Sequence, residues 1–589
     1  MSKVYGHRAP RQNKRVFWIA ALILSVPLAH LIAMNTRVLL VGPPHSVEPW
    51  VEPQGLLMYG LGIAVLGAAV MLRASSQLTG VLLLALGIFV MFTPVYSPVL
   101  LWRALATQSS SFDLPVAIGS GLFSLTYGFF LVFSIRYRKS GVKGSSDWGK
   151  AKVLRTSRSG FVLGRDQKGN LLRYNRDGHL MTVAATRGGK GVGTIIPNLL
   201  LHPGSFICTD PKAENWFVTH AHRERMGQKT IALDPFNLTD GKGSGYNPMD
   251  LINLDSPDHV EIARSMAHNM IPDAKSGDPH WVNEARSALE SIILFAKSLP
   301  DPAKHNLATV RRMVSGDAGG INKLLHAMQN CEECPAVQLG ANRLLQKDIK
   351  ELSGVLSTLQ SNTHIFSSPR LTATLSQTSF TKEDLLSDSA SVYLIVPAEH
   401  LESYAPWLRT TITSIYRMIT TDTHKREVKP KHRILCMLDE FANLGKMPEI
   451  LSAVSLGAGF GITLWLILQD LSQVRSKYGG EWNSFLANSD VIQVFSIQDP
   501  FSCEQVSKLL GEKTVWQRKL GRVGEKKLAP EKGYDEDSRP LMRMDELRRL
   551  HPDRQILLVR PNQPVAATKI RYYKDPEFKH LASPNPYVS

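Results

Sequence analysis

The sequence predicts an α/β fold in which a largely parallel sheet is covered by helices on both faces. An all-helical stretch interrupts the sheet, and a membrane-spanning region precedes it. Three observations carry this. Short apolar strands alternate with helical segments, and several end on a carboxylate, as strands of a doubly covered parallel sheet do. One strand breaks into a glycine-rich loop around a single lysine, and a later one ends on two adjacent carboxylates. Before all of these stand four charge-free apolar runs, at 16–34, 55–72, 78–101 and 114–135.

Each run is long enough to cross a hydrocarbon core of about 30 Å. The first lacks a small-residue cleavage site and reads as a retained span rather than a signal peptide. Lys3, Arg8, Arg11, Lys14 and Arg15 precede it, and Arg136, Arg138, Lys139 and Lys143 follow the fourth. The positive-inside rule then places both ends in the cytoplasm, which four spans satisfy. His30 is the only ionisable residue within the runs, so they read as an anchor and assembly surface rather than an ion conduit.

The 589 residues exceed one compact core and imply several domains. A formal net charge of +17 favours anionic partners such as nucleic acid or an acidic membrane surface, although basic flanks of the spans account for part of it. Five cysteines without framework spacing indicate a reducing compartment. Cys331 and Cys334 form one isolated pair that reads as surface thiols rather than a zinc site.

In chain order, a glycine- and serine-rich linker leads from the spans to MTVAATRGGKGVGTIIPNLL, residues 181–200. Its spacing is that of a P-loop at Gly189 and Lys190, with Ala184 in place of the first glycine and Gly191 in place of the magnesium-binding hydroxyl. Gly188 and Gly189 let backbone amides turn toward an anion, Lys190 supplies the charge, and the next helix offers its N-terminus. The nucleotide-binding set is Thr186, Arg187, Gly188, Gly189, Lys190, Gly191 and Val192, with Asp210 at the end of the following strand. Asp210 and Asp234 both end short strands before a proline, where a carboxylate serves either a ligand or a turn.

Helical periodicity replaces strands over about 250–365. The LSGV within it, at 352–355, is not an ABC signature, because a strand-bearing segment separates it from the second nucleotide motif. The sheet resumes at 391–400 and 432–445, where Asp439 and Glu440 follow an apolar strand as a Walker B motif does. Asp439 is expected to hold magnesium through its water shell and Glu440 to polarise the attacking water. Gln469, ending the next strand, is placed to sense the terminal phosphate. Strands at 491–497 and 554–560 flank a basic run at 516–533 that reads as a solvated loop. The domain order expected is a membrane domain (1–140), a nucleotide-binding domain in two parts (141–250 and 366–575) around an all-alpha domain (251–365), and a polar tail (576–589).

TRGGKGVGTIIPNLL, DPKAEN, ALDPF, YNPMDLI, LDEFANLG, LWLILQDLSQ and RYYKDPEF, in that order behind N-terminal spans, resemble the coupling ATPases of type IV secretion systems, the VirD and TraG type. The resemblance implies a RecA-like P-loop NTPase domain interrupted by the all-alpha domain, anchored in a bacterial inner membrane and working as a hexamer on ATP and Mg2+. It implies a substrate, either a relaxase attached to single-stranded DNA or an effector protein, passed to the secretion channel. Lys190, Glu440 and Gln469 become its catalytic residues and Asp439 its metal residue. GKG is common in this branch, so Gly191 counts less against function, with Thr186 and Thr194 as alternative hydroxyls. Relatives often carry a trans-acting arginine where Ala458 stands here, leaving Arg370, Arg409 and Arg475 as alternatives. Two other readings are an FtsK-like DNA translocase, which needs a further C-terminal DNA-reading domain, and a nucleotide-binding receptor with little turnover.

Overall fold

The computed structural model describes residues 143–155, 159–273, 278–421, 430–523 and 527–587. The four expected spans lie outside them, and among the described residues no helix is long and apolar enough to cross a membrane. The larger of two compact units comprises residues 147–510 and 542–589.

Its frame is one sheet of 11 strands. In chain order these are β1 (Phe161–Arg165), β2 (Leu171–Tyr174), β3 (His179–Ala184), β4 (Phe206–Asp210), β5 (Lys229–Leu233), β6 (Ala390–Ile395), β7 (Ile434–Leu438), β8 (Ile462–Leu468) and β9 (Ser489–Phe495). The hairpin strands β10 (Glu512–Val523) and β11 (Lys527–Pro540) belong to the other unit, and β12 (Arg554–Val559) and β13 (Val565–Thr568) return to the sheet. The spatial order is β2-β1-β13-β12-β9-β3-β8-β7-β4-β6-β5. From β9 to β5 every pairing is parallel, and from β9 through β12, β13 and β1 to β2 every pairing is antiparallel.

The parallel strands were the readable ones because they are buried on both faces. β3, β4, β6, β7 and β8 have every residue buried, so each is a continuous apolar run bounded by turn residues. β1 and β2 were not expected. They form a hairpin whose turn is tied by Asp166, with Oδ1 accepting from the amides of Lys168 at 2.7 Å and Asn170 at 3.0 Å. β2 is only half buried, a pattern too short to stand out from a linker.

Between β5 and β6 the chain is helical. Its helices include His259–Met270, Pro279–Ser298, Leu307–Val314, Ala318–Gln329, Pro335–Leu345 and Ile349–Thr363. Asp278, Asn306, Asp317 and Asp348 each accept a backbone N–H at a helix start, so four of these helices carry side-chain caps. Buried Glu284 draws Arg343 and Lys347 together, the latter at 2.9 Å. Cys331 and Cys334 are buried at 5% and 1% exposure, which corrects their reading as surface thiols; they pack as small apolar residues of this helical part.

The other unit contains residues 511–541. Here the basic run at 516–533 is not a loop, as expected, but most of the β10–β11 hairpin, paired from Glu512 opposite Pro540 to Val523 opposite Lys527. Its alternation is masked by charged residues, glycine and proline, which read as loop composition.

Candidate functional site

The parallel order puts β8 between β3 and β7, so the loops leaving these three strands share one end of the sheet. Ligands of open α/β sheets collect at this carboxyl end. β3 delivers the glycine-rich loop, β7 the two carboxylates and β8 the glutamine.

The loop turns through two left-handed residues, Arg187 at φ 60° and Gly189 at φ 90°, with Gly188 N–H bonded to Ala185 O at 2.9 Å. At Gly188 a β-carbon would meet Ala185 O at 2.7 Å, so only glycine fits that turn. Lys190 then opens a π-helical turn, Gly191–Ile195, which continues as the helix Ile196–Leu201. Val192 is half-buried in it, and Thr186 and Arg187 are exposed.

Lys190 is 9% exposed, with Nζ 2.7 Å from Glu440 Oε1 and 3.9 Å from Asp439 Oδ1. Glu440 takes a left-handed backbone at φ 54°, which turns its carboxylate from the end of β7. Glu440 Oε2 accepts from Gln469 Nε2 at 2.8 Å, and Gln469 Oε1 accepts from Thr186 Oγ1 at 3.1 Å. Thr186, Gln469, Glu440 and Lys190 thus form one hydrogen-bonded chain across three adjacent strands. Asp439 is fixed by Thr209 Oγ1 donating to its carbonyl at 2.9 Å, and its Oδ1 accepts from Glu440 N at 3.0 Å. Burial pushes the Asp439 carboxyl up to about 6, opposed by the Lys190 charge and reinforced by those of Glu440 and Glu214.

Other expected residues do different work. Asp210 is 1% exposed, and its carboxylate accepts from the amides of Trp216 at 2.9 Å and Lys212 at 3.4 Å. Burial raises it to about 7, and it closes the turn after β4 rather than joining the lysine's chain. Asp234 likewise accepts from Phe236 N, Thr239 N and Thr239 Oγ1. Thr194, 1% exposed, gives its hydroxyl to Gln493 Oε1 at 3.2 Å, in a buried network with Thr182 and Gln555. Arg409 is 4% exposed and donates to the carbonyls of Asn269 at 2.7 Å and Leu444 at 2.8 Å, so it braces the segment after β7 from within. Arg370 and Arg475 are exposed, lying over the rings of Phe236 and Phe501.

Two cooperating elements were not among the expected site residues. Lys569, just past β13, donates from Nζ to Gly188 O at 2.7 Å while lying 4.9 Å from the Phe495 ring centroid. Burial lowers its pKa. The residues after it back the loop: Tyr572 N bonds Val192 O at 3.4 Å, and a β-carbon at Gly193 would meet Ile570 O at 3.0 Å. Farther on, Asn585 Nδ2 donates to Glu214 Oε1 at 2.7 Å and Tyr587 OH to Lys212 O at 2.7 Å, so the tail rests on the turn after β4. Only the RYYKDPEF motif pointed at this region.

The chain is similar to "Conjugal transfer protein TraG" of Escherichia coli, 28% identical over 476 residues that cover 74% of each protein. It is 26% identical to "Protein VirD4" of Agrobacterium fabrum (strain C58 / ATCC 33970) over 417 residues, 70% of this chain and 61% of that protein. Among solved structures it shares its fold with the unbound monoclinic form of "Bacterial conjugative coupling protein TrwBdeltaN70", at TM-score 0.57 and 18% identity over 75% of this chain and 96% of that one. The structure of "Plasmid coupling protein TrwB in complex with ADP and Mg2+" matches at TM-score 0.56 and 17% identity, over 74% and 96%. The sheet accordingly has the α/β fold of those coupling proteins. The family model described as "Type IV secretory system Conjugative DNA transfer" matches residues 138–589, and the chain belongs to that family, as a type IV secretion coupling protein of conjugative DNA transfer.

Proposed function

We propose that the chain is an ATP-hydrolysing motor, anchored by N-terminal spans in the bacterial inner membrane, that works as a homo-hexamer. It passes a relaxase with its single-stranded DNA, or effector proteins, to the type IV secretion channel. The observation that carries the catalytic part is the hydrogen-bonded chain Thr186–Gln469–Glu440–Lys190 at the carboxyl ends of β3, β8 and β7.

In this reading Lys190 and the amides of Arg187 to Val192 bind the phosphates of ATP. A phosphate oxygen competes with Glu440 for the Lys190 ammonium. Released from that pair, Glu440 can hold and deprotonate a water, while Gln469, bonded to Glu440 and Thr186, reports the change to both loops. The donors beside the loop fit a magnesium ion: the Asp439 carboxylate stands at the strand end, and oxygen is the donor such an ion takes. When bound, magnesium neutralises phosphate charge. Both expected hydroxyls donate to a glutamine, but Thr194 is buried whereas Thr186 is exposed at the loop, so Thr186 is the hydroxyl we propose of the two. Arg370 and Arg475, exposed where Arg409 is buried, are the arginines we propose for trans action.

The test is nucleotide binding and turnover by the full chain. Lys190→Ala is expected to lose both, and Glu440→Gln to keep binding while losing turnover by about 100-fold or more, the scale of a general base. Undiminished turnover in both variants would sink the assignment.

A further inference from the structure

The peptide between Gly188 and Gly189 lies at the turn of the glycine-rich loop, and the side chain that fixes it comes from near the other end of the chain. We infer that Lys569 is a positioning residue for nucleotide phosphate: it holds the Gly188 carbonyl and thereby aims the Gly189 N–H at the phosphate. The inference rests on the nucleotide reading above and adds a residue to it.

Two adjacent glycines do little to settle the orientation of the peptide they share. Gly189 stands at φ 90°, where a residue with a β-carbon is strained, and a β-carbon at Gly188 would meet Ala185 O at 2.7 Å. The loop therefore needs glycine at both positions, and a peptide flanked by glycines turns over at little cost. Lys569 removes that freedom, because its Nζ donates to Gly188 O at 2.7 Å. A trans peptide is planar, with its C=O and N–H on opposite sides, so the Gly189 N–H faces away from Lys569. Among the described residues that N–H has no acceptor, whereas the Gly188 N–H is taken by Ala185 O at 2.9 Å and Gly189 O by Gly193 N at 2.8 Å. It is a loop amide free to meet an anion.

The lysine is held at both of its ends. Its backbone N–H bonds Asp553 O at 2.9 Å, and its Nζ lies 4.9 Å from the Phe495 ring centroid. Among the described residues no carboxylate pairs with Nζ; Asp553, which acts on it from a distance, is paired with Arg571. The charge is therefore spent on the loop carbonyl, and a carbonyl bonded to a cation makes the N–H of the same peptide a stronger donor. Packing against Phe495 alone would account for the side chain's path over the ring. It does not call for an ammonium turned onto a loop carbonyl 381 residues away in sequence.

The test compares Lys569→Met, which keeps the bulk and loses the cation, with Lys569→Arg, which keeps a cation and a donor. ADP affinity and the KM and kcat of ATP hydrolysis are measured on the full chain, with circular dichroism to show that each variant is folded. Lys569→Met is expected to weaken ADP by about tenfold or more, the scale of one hydrogen bond to a charged group. KM for ATP should rise by a like factor while kcat changes by no more than about twofold, because the aimed amide serves ground and transition states alike. Lys569→Arg should recover most of the affinity. Should the methionine variant not fold, Lys569→Gln, with a shorter and neutral donor, is read in the same way. Unchanged ADP affinity in a folded variant without the cation overturns the inference. So does a fall in kcat with KM unchanged, which would make Lys569 a participant in the chemistry, or an arginine variant as weak as the methionine one. If the unsubstituted chain neither binds ADP nor hydrolyses ATP, the nucleotide reading fails instead, and the inference falls with it.

Discussion

Three arginines with identical charge occupy three different situations, and the difference decides what each can do. Arg409 is buried without a carboxylate; burial lowers its pKa to about 10, and two backbone carbonyls are its partners. Its replacement by methionine keeps the bulk but strands both carbonyls, each an unsatisfied buried acceptor costing about 1–3 kcal/mol. Arg409→Met should therefore destabilise the chain by about 2–6 kcal/mol in urea unfolding, less whatever is recovered by no longer burying a charge. Arg370→Ala or Arg475→Ala should leave the unfolding midpoint in place, because each is exposed. Whichever acts in trans should lower turnover, and its loss should be recovered in mixed assemblies that supply the arginine from unsubstituted copies. An unfolding midpoint that moves as far for Arg475→Ala as for Arg409→Met contradicts this division. The sequence could name these arginines but not separate them, because burial at position 409 comes from the contacts of Asn269 and Leu444, 140 and 35 residues away. Lys190, Glu440 and Gln469 were readable for the opposite reason: each follows its own strand directly, so local pattern alone places it.

Among elements, β3 carries the site and its first residue, His179, shows how it is seated. His179 Nδ1 accepts from Leu464 N of β8 at 3.1 Å, and its Nε2 lies 3.2 Å from Ala453 O. That pattern needs a neutral ring protonated on Nε2, since a second proton on Nδ1 would face an N–H. Burial accordingly lowers its pKa to about 4, although the Ala453 carbonyl opposes this. A depressed histidine is stabilising above its unfolded value, near 6.5, and that contribution is lost as pH falls toward 4, because the unfolded chain binds the proton first. The shift corresponds to roughly 3 kcal/mol by pH 4, counted for this one group. From pH 7 to 4.5 the stability advantage of the unsubstituted chain over His179→Gln should shrink, the raised carboxyls of Asp210 and Asp439 acting alike in both; an advantage that stays constant would rule His179 out as the source. The parallel strands around β3 were legible as apolar runs. The antiparallel edge was not, because β1, β2 and β13 are short, and β2 and β13 alternate buried with more exposed residues.

Across the whole molecule, the candidate site draws on residues 186–191, 439–440, 469 and 569, so it exists only when the sheet is complete. The last strands in sequence, β12 and β13, lie between β9 and β1, which brings Lys569 back to the glycine-rich loop and the tail to the turn after β4. Motif spacing reveals β3, β7 and β8; the return of the tail depends on pairings that no local pattern encodes. Charge is the other property of the chain as a whole. The excess of 68 basic over 51 acidic residues gives +17, and phosphate backbones are the ligand that such an excess binds without regard to sequence. If DNA is the cargo, affinity of the full chain for single-stranded oligonucleotides should fall linearly with the logarithm of salt. The slope should be about −0.7 for each phosphate neutralised, with little preference among sequences. Lys190→Ala should leave this slope unchanged, because Lys190 is committed to Glu440 and is not part of an exposed basic surface. A salt-independent affinity would place the contacts in base recognition instead. No measurable oligonucleotide binding at low salt would assign the excess charge to the membrane surface and turn the search for cargo toward proteins.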